Sequence, residues 1–181
     1  SSSTSWMLFS TSLFFQPKTI MEVGSFIGKS TISMGIATDF YSQNDECHIY
    51  CCDHSNEIKL PNYCKAQINQ FHKTSSTDML KSIPSDIKFD LIHLDGWLQN
   101  EDFVLVKNHM HEKTLFVLDD FEGIEKGVIN YLNLVNNAII SRNSHRLIDP
   151  IKSEVLNKFN LIENSSTAII LPMQFINFSN Q

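Results

Sequence analysis

Thr19-Ile20-Met21-Glu22-Val23-Gly24-Ser25-Phe26-Ile27-Gly28-Lys29-Ser30-Thr31 is the stretch whose reading decides the fold. Thr19 to Val23 is a short apolar run carrying one carboxylate, the pattern of a strand buried inside a sheet. Two glycines follow, and behind them Ser30 to Tyr41 sets Ile32, Ile36 and Phe40 at helical spacing. A strand that passes through a tight turn straight into a helix is the opening unit of a parallel α/β sheet. The glycine spacing has a steric reason. Gly24 lets the backbone turn sharply and lets a ligand approach the main chain, where a Cβ would clash. Gly28 lets the helix sit close to the strand, and the helix N-terminus presents free N–H groups and a positive dipole end. Such an end can hold a carboxylate, a hydroxyl or a phosphate.

Outward from this turn the same alternation continues. Strands are expected at His48 to Cys52, Phe89 to Leu94 and Leu115 to Leu118, with a short one near Phe71 to Lys73. Helices are expected at Pro61 to Gln70, Ser76 to Leu80, Asn100 to Met110 and Ile124 to Val135. Phe159 to Glu163 and Thr167 to Leu171 flank Asn164-Ser165-Ser166 as an antiparallel hairpin at one sheet edge. The expected fold class is α/β, a three-layer Rossmann-like sandwich with a mainly parallel sheet and a C-terminal antiparallel hairpin. Residues 1–181 read as one domain, with 1–17 as an edge helix or loop. The start at Ser1-Ser2-Ser3, without methionine, suits a piece of a longer protein.

Composition narrows the function. Hydrophobic residues make up 42% and charged residues 19%, which describes a globular chain rather than a disordered one. The net charge of -6 and the scattered basic residues speak against nucleic acid, because phosphate neutralisation needs clustered Lys and Arg. The apolar N-terminal residues are interrupted by Ser10, Thr11 and Ser12, too short a stretch for a membrane span. Cys47, Cys51, Cys52 and Cys64 show no zinc-ligand spacing and read as reduced cysteines of a cytoplasmic protein. A small-molecule partner is the expectation, with a homodimer or attachment to further domains left open.

The turn also discriminates between ligands. A dinucleotide site would show G-x-G-x-x-G with a pyrophosphate at the helix N-terminus. Here Glu22 stands two residues before Gly24, where it would repel a pyrophosphate and suit an amino group. An oxidoreductase using NAD is disfavoured on both counts. Asp53, at the end of the next strand, is placed to accept both hydroxyls of a ribose, as acidic residues do in other nucleoside-binding α/β folds.

Taken together these residues resemble the class I methyltransferases that use S-adenosylmethionine, most closely the small-molecule O-methyltransferases of the catechol and macrocin (sugar) type. The resemblance runs from about Ile20 to Tyr131. It implies that Gly24, the Phe26 backbone and Ser30 contact the methionine part, with Glu22, Ser25 and Gly28 completing the turn. It gives Asp53 the ribose, His54 the adenine face, and Ser76 and Thr77, within Thr74 to Leu80, the polar adenine contacts. Phe89-Asp90-Leu91-Ile92-His93-Leu94-Asp95-Gly96-Trp97 resembles the fourth-strand motif, which adds Asp95 and Trp97 to the cofactor contacts. Leu115-Phe116-Val117-Leu118-Asp119-Asp120-Phe121 resembles the fifth strand with its acidic pair. In metal-dependent members these positions hold a divalent cation. The implied ligands are Asp95, Asp119 and Asp120, with Mg²⁺ the best match to carboxylates and water.

The sequence departs from the family at the base. Leu98 stands where the catechol type has a lysine, and Trp97 where sugar-type members place a histidine. Asp95, acting through the metal, is the remaining catalytic candidate. His93 reads as a core residue and His109 and His111 as exposed helix-end residues. Arg142 to Phe159 is a candidate substrate flap or a plain linking helix. Methyl transfer to a hydroxyl of a small molecule or sugar is the expected activity. The alternative is a non-catalytic or degenerate S-adenosylmethionine-binding module within a larger protein.

Overall fold

In the computed structural model the described residues are 2–43, 46–57, 64–148 and 166–175. Helix α1 (Ser2–Phe15) precedes strand β1 (Thr19–Val23), the glycine turn and helix α2 (Lys29–Thr38). Then come β2 (His48–Asp53), β3 (Gln67–His72), α3 (Ser76–Ser82), β4 (Phe89–Leu94) and α4 (Asp102–Asn108). The remainder is β5 (Met110–Leu118), α5 (Lys126–Asn136), β6 (His145–Ile148), β7 (Ala168–Pro172) and a 3₁₀ turn at Met173–Phe175.

The seven strands form one sheet in the order β3-β2-β1-β4-β5-β7-β6. The first five run parallel, and β7 lies antiparallel between β5 and β6. Strand alternation splits the sheet into two faces. On one face Met21, Val23, Ile92 and Phe116 pack under α3, α4 and α5 through Met79, Leu80, Phe103, Val106 and Leu134. On the other, Ile20, Leu91, Leu115 and Val117 pack under α1 and α2 through Leu8 and Met34. This is the three-layer sandwich expected, with β4 at the centre of the sheet and β1 beside it.

Three details differ from the sequence reading. The helix expected over Pro61 to Gln70 does not form where it is described. Residues 64–66 are bent, and Gln67–His72 is instead β3, pairing in parallel with β2 from His48↔Gln67 to Asp53↔His72. Polar Gln67, Asn69 and Gln70 hid the strand, since β3 is an edge strand and needs no continuous apolar run. The partner of β7 in the edge hairpin is β6, drawn from the Arg142 to Phe159 segment. The other arm expected, Phe159 to Glu163, lies outside the described residues. Finally, β5 starts at Met110 rather than Leu115, which puts His111 in a strand.

α1 is more than an edge element. It covers the sheet beside α2 and buries Leu8, Thr11 and Ser12 completely or nearly so. All four cysteines are free. No described helix is long and apolar enough to cross a membrane.

Candidate functional site

β1, β2, β4 and β5 deliver their carboxyl ends to one edge of the sheet, and the glycine turn sits among them. Gly24 has φ +90° and donates its N–H to the Cys52 carbonyl at 3.0 Å. A Cβ at Gly24 would stand 2.7 Å from the carbonyl carbon and oxygen of Asp95, so only glycine lets the tips of β1 and β4 touch. Phe26 also takes a positive φ, and its N–H donates to Asp53 Oδ2 at 2.8 Å. The second Asp53 oxygen accepts from the Ser55 N–H at 2.7 Å. Burial raises the Asp53 pKa, but the hydrogen bonds from Ser55 and Phe26 outweigh it and hold the carboxyl below its ordinary value.

Two cavities open on this edge and share Gly24 and Asp95. The larger, about 350 Å³, runs from Asp53 and His54 past Thr74 and Ser76 to Gly96, Trp97, Gln99 and Lys126. The smaller, about 190 Å³, lies between Thr4 and Ser5 of α1 and the Ser25 to Ser30 turn, with Asp119 in its wall. Of the residues expected at the site, Gly24, Ser25, Phe26, Ser30, Asp53, His54, Ser76, Asp95, Trp97 and Asp119 therefore come together. Gly28, at φ +87°, opens α2 beneath them.

Glu22 and Thr77 are placed elsewhere. Glu22 points into the α1–α2 face and is fully buried, with Oε1 3.1 Å from His93 Nδ1 and Oε2 accepting from the Thr31 hydroxyl. The alternation that sends Val23 toward one layer sends Glu22 toward the other. Its carboxylate braces the turn from below, between His93 and Thr31. Burial lowers the His93 pKa, yet the Glu22 hydrogen bond and charge, with Asp119 and Asp95 behind them, outweigh burial and raise it. Thr77 and Ser76 both turn their hydroxyls to Asp102, a fully buried carboxylate that Ser76 reaches at 2.5 Å and the Gln99 N–H at 2.7 Å. His93 is a core residue, as expected. His109, expected exposed, is buried with Nδ1 donating to the Ile87 carbonyl at 2.9 Å. His111 binds Asp90 at 2.8 Å.

At the tips of β4 and β5 the three expected metal ligands have other partners. Lys126 Nζ lies 2.6 Å from Asp95 Oδ1, 2.9 Å from the Asp95 carbonyl oxygen and 2.8 Å from Asp120 Oδ2. Asp119 Oδ1 accepts hydroxyls from Thr4 at 3.1 Å and Thr167 at 2.8 Å. Burial lowers the Lys126 pKa, but its interactions with the Asp120 and Asp95 carboxylates outweigh burial and keep the ammonium charged. For Asp95, burial dominates over the pull of Lys126 and raises the carboxyl pKa. Among the described residues no three His, Cys, Asp or Glu side chains are grouped to hold a metal ion. The expected cation at Asp95, Asp119 and Asp120 does not fit this arrangement, because an ammonium already occupies the point where Asp95 and Asp120 converge.

Lys126 and Asp102 escaped the sequence reading. Asp102 opens a helix three residues after Gln99, the spacing of a local cap, and nothing local connects it to Ser76. The signal for Lys126 was Gly127 beside it in an otherwise helical pattern, a mark of close backbone approach. A Cβ there would collide with the Asp119 carbonyl oxygen and come within 3.0 Å of that of Asp120. Leu98 is buried in the core and offers no base.

Residues 21–121 match the model of a family described as a methyltransferase domain. No curated protein matches the sequence. Among solved structures, an O-methyltransferase from Bacillus cereus in complex with SAH superposes with TM-score 0.66 at 14% identity, over 95% of this chain and 81% of that one. The O-methyltransferase TomG from Streptomyces achromogenes, in complex with SAM, gives 0.60 at 14% identity over 95% and 80%. A ribosomal protein L11 methylase from Lactobacillus delbrueckii subsp. bulgaricus gives 0.54 at 15% identity over 94% and 77%. At these identities the likeness is one of fold.

Proposed function

The chain belongs to the methyltransferase-domain family, and from that premise we propose that it transfers a methyl group from S-adenosylmethionine to a hydroxyl of a small molecule or sugar. The observation that carries this reading is the pair of cavities meeting at Gly24 and Asp95. One extended ligand fills both. Its adenosine lies in the larger cavity, with the ribose hydroxyls on Asp53, the adenine against His54, and Ser76 and Trp97 beside it. Its methionine crosses Gly24 into the smaller cavity, where Ser30 and the N-terminus of α2 receive the carboxylate.

The sulfonium then lies over Asp95. The acceptor oxygen attacks the methyl carbon, the carbon–sulfur bond breaks, and its electron pair stays on sulfur to give S-adenosylhomocysteine. With Leu98 in the core, the acceptor's proton passes to Asp95, whose raised pKa suits a base. Holding donor and acceptor in line supplies most of the effect; proximity and alignment can lower such barriers by roughly 7–11 kcal/mol. No step is routed through a metal.

Isothermal calorimetry with S-adenosylhomocysteine tests the reading. Binding is expected, and Asp53→Ala should weaken it about tenfold or more, equivalent to about 1.4 kcal/mol. No binding by the wild-type chain would sink the reading. Binding without transfer to any member of a panel of hydroxylated acceptors would favour the non-catalytic module instead.

A further inference from the structure

We infer that Lys126 is a built-in cation of this site, so that methyl transfer here proceeds without a divalent metal and on an acceptor that offers one oxygen rather than a chelating pair. The inference rests on the function proposed above only in its reference to methyl transfer. The occupancy of the carboxylate cluster stands by itself.

An ammonium has three N–H donors. At Lys126 two of them go to Asp95 Oδ1 and the Asp95 carbonyl, at 2.6 and 2.9 Å, and the charge is paired with Asp120 Oδ2 at 2.8 Å. The third carboxylate of the cluster, Asp119, is served by the hydroxyls of Thr4 and Thr167. Thus no member of the cluster depends on an added ion. A hard divalent cation needs about six oxygen ligands. Here it would have to displace a lysine that already bridges two of them.

The backbone is shaped to deliver that lysine. Asp120 adopts φ +51°, which turns the chain back sharply at the end of β5. Gly127 then donates its N–H to the Asp120 carbonyl at 3.2 Å, and its missing side chain lets α5 seat directly on the Asp119 and Asp120 carbonyls. Lys126 is the first residue of that helix, so this seating carries its amine into the gap between β4 and β5. Lys126 is a positioning residue. It fixes Asp95 beside the cofactor cavity, and with two donors committed to Asp95 and its charge paired with Asp120 it cannot bind two acceptor oxygens as a chelating metal would.

Mn²⁺ titration followed by electron paramagnetic resonance, run beside S-adenosylhomocysteine calorimetry, tests this without knowledge of the acceptor. Wild-type protein should bind S-adenosylhomocysteine equally with Mn²⁺ or with EDTA, and its weak Mn²⁺ affinity should be unchanged by Asp95→Asn. Lys126→Ala should gain Mn²⁺ affinity about tenfold over wild type, near 1.4 kcal/mol, and adding Asp95→Asn should abolish the gain. A lysine that merely stabilised the fold would not produce this gain. Wild-type Mn²⁺ binding that Asp95→Asn removes would overturn the inference. So would a folded variant with no gain, and Lys126→Met, which keeps the apolar stem, serves if the alanine variant does not fold. Failure of wild type to bind S-adenosylhomocysteine would sink the proposed function while leaving the Mn²⁺ result interpretable.

Discussion

At His93 an imidazole and the Glu22 carboxylate are both sealed from solvent, 3.1 Å apart, directly under the glycine turn. Removing one partner of a buried pair strands the other, so Glu22→Ala should destabilise the protein by about 3–5 kcal/mol in urea unfolding. The sign of the pH dependence follows from the raised pKa of His93. A proton held more tightly in the folded state stabilises fully below the unfolded value of about 6.5 and is lost as pH climbs through the folded value. Wild-type stability should therefore fall above about pH 6.5, and Glu22→Gln should flatten that slope. At Gly24, alanine would meet the Asp95 backbone at 2.7 Å with φ at +90°. Gly24→Ala should cost about 1–3 kcal/mol of stability, and calorimetry should show loss of cofactor binding. Both glycines and the acidic strand tips were legible in the sequence because their chemistry is local. The direction of Glu22 was not, because its partner His93 lies 71 residues away and sequence alone does not say which face of β1 meets the ligand.

Between elements, the informative link is Asp102, where the starts of α3 and α4 meet. Its buried carboxylate receives Ser76, Thr77 and Gln99, so one side chain sets how the two helices approach the larger cavity. Asp102→Asn exchanges an acceptor for a donor among those groups. A loss of about 2–3 kcal/mol is expected from chemical denaturation, on the scale of hydrogen bonds to a charged group, together with weaker binding of S-adenosylhomocysteine. The central strands β1, β2 and β4 could be read because burial on both faces writes a continuous apolar run. The edge strands β3 and β6 carry His, Arg, Gln and Asn, and only their partners give them strand geometry. The same limit applies to Lys126. Its neighbour Gly127 hinted at close packing, but the meeting of α5 with β4 is a property of the assembled sheet.

For the molecule as a whole, ligand binding should appear as stability. S-adenosylhomocysteine at a hundred times its Kd adds about 2.7 kcal/mol to the folded state. For a domain of this size that is a rise in Tm of roughly 5–11 °C by thermal scan, and EDTA should leave the rise unchanged. The placement of β7 has a separate consequence for how the chain is made. β6 emerges before β7, yet only β7 joins it to β5. The same late segment carries Thr167, whose hydroxyl completes Asp119 together with Thr4 from α1. During vectorial synthesis, β1 to β5 can assemble as they appear, while β6 must wait unpaired and Asp119 must wait for the Thr167 hydroxyl. The strand between β5 and β6 therefore closes the sheet edge and completes the Asp119 hydrogen bonds in one late step.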